Sequence, residues 1–201
     1  MNTGMTIEFP KPTGIRVLMM PYSQGDLNTL PDTVRPYFPI LERVFLDRYT
    51  DGFLTIDESP VVPGQPHRGT RAKFGRALHT EVGRHLTWGG YTWGGKNNVT
   101  VDRDTEILLA NSLNATCAVW DTEHVDTSLD GDIGHKAHLY PYSTATLMQA
   151  GEVHRIGVLT PHESLPIDKP VMRQFLRIVG AGVHGREPYF TENPLHRSTH
   201  D

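Results

Sequence analysis

Fifteen prolines and nineteen glycines are spread along all 201 residues, so apolar runs rarely extend far before a turn-forming residue interrupts them. Proline fixes φ and removes a backbone donor, and glycine opens the left-handed region; together they shorten helices and punctuate strands. Between these breaks, 15–22, 52–57, 77–82, 106–110, 116–120, part of 145–155 and 171–179 read as strands. One segment has a helical period. From Pro36 onward Tyr37, Ile40, Leu41, Val44, Phe45 and Tyr49 recur at helix spacing, and Pro36 suits a helix start. Many short strands beside one N-terminal helix predict a mainly β fold, a sandwich or jelly-roll barrel. No linker or repeat divides the chain, so a single domain over 1–201 is expected.

The composition narrows the function classes. Hydrophobic residues make up 37% and charged residues 21%, which is too apolar and too weakly charged for a disordered chain. The net charge is −4 and the basic residues are scattered, so no phosphate-neutralising patch for nucleic acid is expected. Cys117 is the only cysteine, which excludes an intrachain disulfide and a thiolate zinc cluster. In its strand-like setting, 114–120, it reads as a buried structural thiol. There is no apolar run of about 20 residues and no basic, apolar leader, so the expectation is a cytoplasmic protein with no membrane partner.

Chemistry concentrates in 151–178. Gly151-Glu152 reads as a turn opening a strand, His162 closes that region, and Arg173 follows eleven positions later within the 171–179 strand. Arg173, Phe175 and Arg177 share one face of it, because side chains alternate along a strand. Residues two apart on a strand can also grip one metal ion together. His79-Thr80-Glu81 and His124-Val125-Asp126 both have that spacing. The first lies far enough upstream of His162 for several intervening strands. The second is only 36 residues before it, and could instead join His154 in an alternative set, His124, Asp126 and His154. With eleven histidines in the chain, surface ion pairing at His79 and Glu81 and a turn role for His162 are the plain readings beside these.

The order of turn, strand, His162, loop and Arg173 resembles the distal half of the double-stranded β-helix in Fe(II)/2-oxoglutarate-dependent oxygenases. The phytanoyl-CoA-dioxygenase-like branch is the most similar. The resemblance spans about 75–180 and implies a cupin-like barrel with a flanking N-terminal helix. It implies that His79, Glu81 and His162 are the metal ligands for Fe(II) and that Arg173 binds the cofactor 2-oxoglutarate. Two imidazoles and one carboxylate leave open positions on such an ion, and a planar guanidinium suits a carboxylate. Glutamate at 81 is similar to the clavaminate-synthase-like branch. Gln174-Phe175 departs from the serine or threonine that commonly follows the arginine, which makes Arg177 a second candidate for the co-substrate.

Trp88, Tyr91 and Trp93 are candidate substrate-wall residues, with core packing at a barrel corner the alternative, and Trp120 is a further candidate that an ordinary strand terminus explains equally well. Arg68 and Arg71, in the loop 60–75, could recruit an anionic substrate. His135 and His138 read as solvated loop residues. A small molecule or a peptide is the expected substrate. A cupin metalloenzyme that does not use 2-oxoglutarate is the nearest rival reading. A non-enzymatic jelly-roll module that binds carbohydrate or protein through 88–93 is the other.

Overall fold

The computed structural model describes residues 1–66, 75–84, 90–94, 98–125, 130–186 and 189–196. They form antiparallel sheets with one short α-helix. In chain order the elements are β1 (Asn2–Thr6), β2 (Arg16–Ser23), α1 (Phe38–Leu41), β3 (Asp51–Val61), β4 (Leu78–His79), β5 (Val82–Arg84), β6 (Tyr91–Trp93) and β7 (Thr100–Val101). They continue with β8 (Glu106–Asn111), β9 (Cys117–Val119), β10 (Thr146–Leu147), β11 (Glu152–Gly157), β12 (His162–Ser164), β13 (Val171–Val179) and β14 (Val183–His184). The large sheet runs β1-β11-β8-β13-β3-β2, and two small sheets run β10-β9-β12-β4 and β14-β7-β6-β5. Among the described residues no helix is long and apolar enough to cross a membrane.

The inner strands β3, β8 and β13 of the large sheet are buried on both faces, which explains why they are legible as apolar runs. β3 and β13 pair from Phe53↔Val179 to Val61↔Val171. Leu54, Ile56, Leu108, Ala110, Leu176 and Ile178 join one core with Tyr22, Val34, Tyr37 and Leu41. The alternate positions Phe53, Ile107, Leu109, Phe175 and Val179 join a second core with Met19, Val119, Ile156 and Val158. The two-residue period of the pleat thus sends each strand into both cores.

The helix expected from residue 36 onward is a correction. The chain forms a 3-10 segment, Asp32–Tyr37, and then a single α turn, α1. Tyr37, Ile40, Leu41 and Val44 are still buried, so the spacing identified the apolar face correctly. Beyond Leu41 tertiary partners take the backbone groups that a helix would use. The Leu46 amide donates to Gln24 Oε1, the Glu42 carbonyl accepts from Arg48, and the Tyr49 amide donates to the Gln24 carbonyl with Tyr49 at φ 64°.

The 77–82 strand also divides. β4 belongs to one small sheet and β5 to the other, with Thr80 and Glu81 as the link. The Thr80 amide donates to Gly131 O and its hydroxyl to Val82 O. Gly131 has φ +71°, and a Cβ there would stand 2.3 Å from Thr80 O, so this close approach requires glycine.

A buried carboxylate ties the N-terminal segment to the large sheet. Glu58 Oε2 accepts the amides of Thr13, Gly14 and Ile15 at 2.6–2.8 Å, and Oε1 accepts from Tyr37 Oη at 2.8 Å and Gln174 Nε2 at 2.9 Å. Burial opposes ionisation, but these donors prevail and hold the Glu58 carboxyl below its ordinary range. A depressed carboxyl pKa stabilises the fold above the unfolded value, and that contribution disappears as pH falls through the folded value. Glu58→Gln is therefore expected to cost about 2 kcal/mol at pH 7. In urea denaturation the gap to the parent protein should close as the pH is lowered below about 4.

Candidate metal centre

The site begins with strand register. β12 lies between β9 and β4, and His162 stands directly opposite His79. Their ring centroids are 4.2 Å apart with planes tilted by 55°. Glu81, two residues beyond His79, is fixed by its amide donating to Val158 O and its carbonyl accepting from the Gly94 amide. One potential ligand atom from each of His79, Glu81 and His162 lies within 4.8 Å of the others. His162 Nε2 is 3.5 Å from Glu81 Oε1.

Both rings are oriented in the same way. His79 Nδ1 is 2.7 Å from the Ala77 carbonyl, and His162 Nδ1 is 2.9 Å from the Thr160 carbonyl. A carbonyl oxygen only accepts, so each Nδ1 carries the proton and a neutral ring offers its Nε2 lone pair. This is the outer-shell arrangement that fixes the tautomer of metal-binding histidines. The donor set of two imidazoles and a carboxylate therefore fits a divalent transition metal with open coordination positions.

The opposite face of β12 anchors the histidine-bearing segment. Buried Glu163 accepts from Arg76 Nε at 2.9 Å and Nη2 at 2.5 Å, from the Ala77 amide at 3.1 Å and from Tyr142 Oη at 3.1 Å. Arg76 in turn lies over the ring of Tyr142, 4.3 Å from its centroid. Ala77 is thus held from one side while its carbonyl orients His79.

A cavity of about 190 Å³ opens beside the cluster and is lined by His79, Glu81, His162, Arg173, Phe175 and Arg177, among others. The shared face of 173, 175 and 177 follows the strand period, as the sequence implies. Arg177 Nη1 donates to Glu81 Oε1 at 2.7 Å, and both side chains are almost fully buried. Its guanidinium also lies over Trp93, 5.1 Å from the ring centroid. Arg173 is 3% exposed and donates to Asn111 Oδ1 through Nε and Nη2 and to Ser164 Oγ through Nη1. These partners are neutral. Burial pushes the Arg173 guanidinium down to about 10, so it remains a cation at neutral pH.

The structure brings together His79, Glu81, His162 and Arg173, and adds Arg177 as the partner of the carboxylate. Ser164 and Asn111 escaped the sequence reading. Ser164 carries a usable signal, standing two residues beyond His162 on one strand, whereas nothing local marks Asn111. Cys117 is buried as expected and lines the cavity. Trp93 is 2% exposed and meets the site only through Arg177. Tyr91 packs against the same core, and Trp120 lies in a third core with Leu78, Ile133 and Tyr140. Neither Tyr91 nor Trp120 is among the described residues lining the cavity. Trp88, Arg68, Arg71 and Asp126 lie outside the described residues. Of the second triad, His124 contacts Tyr140 Oη and His154 pairs with Glu152 inside the large sheet. His135 and His138 are exposed, as expected.

Removing one member of a buried ion pair leaves the other charge uncompensated. Arg177→Met is expected to lower the stability of the metal-free protein by about 3 kcal/mol in urea denaturation, and adding Glu81→Gln should recover most of that loss.

No protein-family model, no curated protein and no solved structure matches the chain, so its functional reading rests on the geometry of these residues.

Proposed function

We propose that this protein is an Fe(II)- and 2-oxoglutarate-dependent oxygenase on a double-stranded β-helix, acting on a small molecule or a peptide. The observation that carries the reading is the shared cavity. A two-histidine, one-carboxylate cluster lies in it together with Arg173, a buried cation whose hydrogen-bond partners are neutral. Asp57 in the same lining favours the Arg173 cation, but no carboxylate is among its described hydrogen-bond partners, and a ligand carboxylate would supply a direct one. In this reading His79, Glu81 and His162 hold the iron. Arg173 takes the distal carboxylate of 2-oxoglutarate, with Ser164 and Asn111 setting its orientation. The bound iron and 2-oxoglutarate supply the oxidising chemistry.

The chain's own residues bind, orient and balance charge. The Ala77 and Thr160 carbonyls keep both imidazoles presenting Nε2. Arg177 restrains Glu81 and holds one of its oxygens. Glu81 offsets Arg177 and Asp57 offsets Arg173, so a divalent ion leaves two positive charges, which favours a dianionic ligand such as 2-oxoglutarate. Leu18, Leu109 and Phe175 add apolar surface beside Thr55 and Asp57.

The test is an anaerobic titration of the metal-free protein with Fe(II) and 2-oxoglutarate, following the visible metal-to-ligand band. His79→Ala and His162→Ala should each abolish the band. Arg173→Ala should keep metal binding while raising the 2-oxoglutarate requirement about 100-fold, the consequence of losing one partner of a buried charge pair. Metal binding without any response to 2-oxoglutarate would instead favour a cupin-type metalloenzyme.

A further inference from the structure

A second, smaller cavity also borders the ligand-bearing segment. Its described lining residues are His79, Glu81, Asp130 and Asp132, with Ala77, Leu78, Thr80 and Gly94, and none of them is basic. Its volume of about 20 Å³ admits one water-sized particle. The two cavities differ in charge. Arg173 and Arg177 line the larger one together with Asp57 and Glu81, whereas the described lining of the smaller one adds two aspartates to a glutamate that Arg177 already neutralises.

Asp132 is 6% exposed. Its Oδ1 accepts the Gly134 amide at 3.0 Å, but Oδ2 is buried with no hydrogen-bond partner. A carboxylate oxygen left so within an acidic cavity calls for a cation. Asp132 forms a β-bridge with His79, and the Gly131 carbonyl accepts the Thr80 amide, so the aspartates are fastened to the ligand segment itself. Asp130 is only partly buried. Neither aspartate belongs to the His79, Glu81, His162 cluster, which argues against a fourth ligand. Two carboxylates are also too few to retain a hard divalent ion in competition with water.

We propose that Asp130 and Asp132 form a loading station that passes a divalent metal ion from solvent to His79 and Glu81, through the smaller cavity rather than the arginine-lined one. The inference rests on the metal-centre reading above. A cation approaching through the larger cavity would meet two guanidinium groups, while the aspartates attract it and exchange its waters one at a time. Charged surroundings of this kind change association rates by about 10- to 1000-fold.

The test uses the full-length metal-free protein and Co(II), whose ligand-field absorbance reports capture, with uptake followed by stopped flow and release followed in excess chelator. Asp132→Asn should slow uptake about tenfold or more and slow release in parallel, leaving the equilibrium affinity within about threefold, because a route acts on both directions equally. Asp130→Asn, altering a less buried group, should do the same more weakly and guards against loss of folding in the first variant. Unchanged uptake in both variants would overturn the proposal. So would faster release with weakened affinity, which would make Asp132 a ligand or a static field. Absence of any Co(II) signal in the parent protein would overturn both this proposal and the metal-centre reading, whereas a normal parent signal with unaffected variants would overturn the loading station alone.

Discussion

The pairing of β12 with β4 is the constraint on which the rest of the site depends. Only two registered pairs join them, His162↔His79 and Glu163↔Leu78. A slip of one residue would turn the His162 ring toward the Leu78 and Glu163 face and replace it in the cavity by an acid. The register is held from both sides. The β12–β9 pairing fixes His162 and Glu163 together with Ser164, and the Glu163, Arg76 and Ala77 network fixes the start of β4. Short strands can therefore carry a site because their neighbours specify them.

The buried charges fall into two groups. Glu58 and Glu163 are saturated by several donors each, and they act as ties, one between the N-terminal segment and the large sheet and one beneath β4. The other group lines cavities and is less completely satisfied. Arg177 balances Glu81 but leaves its own Nε without a partner among the described residues, Arg173 donates its hydrogen bonds to neutral oxygens with Asp57 as the acid that favours it, and Asp132 retains one bare oxygen. Buried polar groups normally find partners. Among the described residues, two of the buried unpartnered side-chain atoms, on Arg177 and Asp132, belong to residues joined to the 79–81 segment.

Parts of this arrangement were readable from the chain alone. The inner strands of the large sheet announced themselves because both faces are buried, giving the near-continuous apolar runs around Leu54 and Ile178, whereas the exposed edge strand β1 carries no such run. His79 and Glu81, two apart, and Arg173, Phe175 and Arg177, at alternate positions, followed from the period of a strand. The helix after Pro36 was misread for an instructive reason. Its apolar spacing is real and those residues are buried, but Gln24 and Arg48 take the backbone groups needed to continue the helix, and no local pattern reveals that competition.

The sequence by itself determined the mainly β character and which side chains share a strand face, since both follow from local rules about turns and the two-residue pleat. Only the tertiary structure decided that residues 79 and 162 face each other, that Arg177 rather than solvent balances Glu81, and that Ser164 and Asn111 hold Arg173. It also set Trp120 within a core and Asp132 against the ligand segment. These are contacts between residues far apart in the chain. Each depends on register and on the burial of charge, properties that exist only once the sheets have come together.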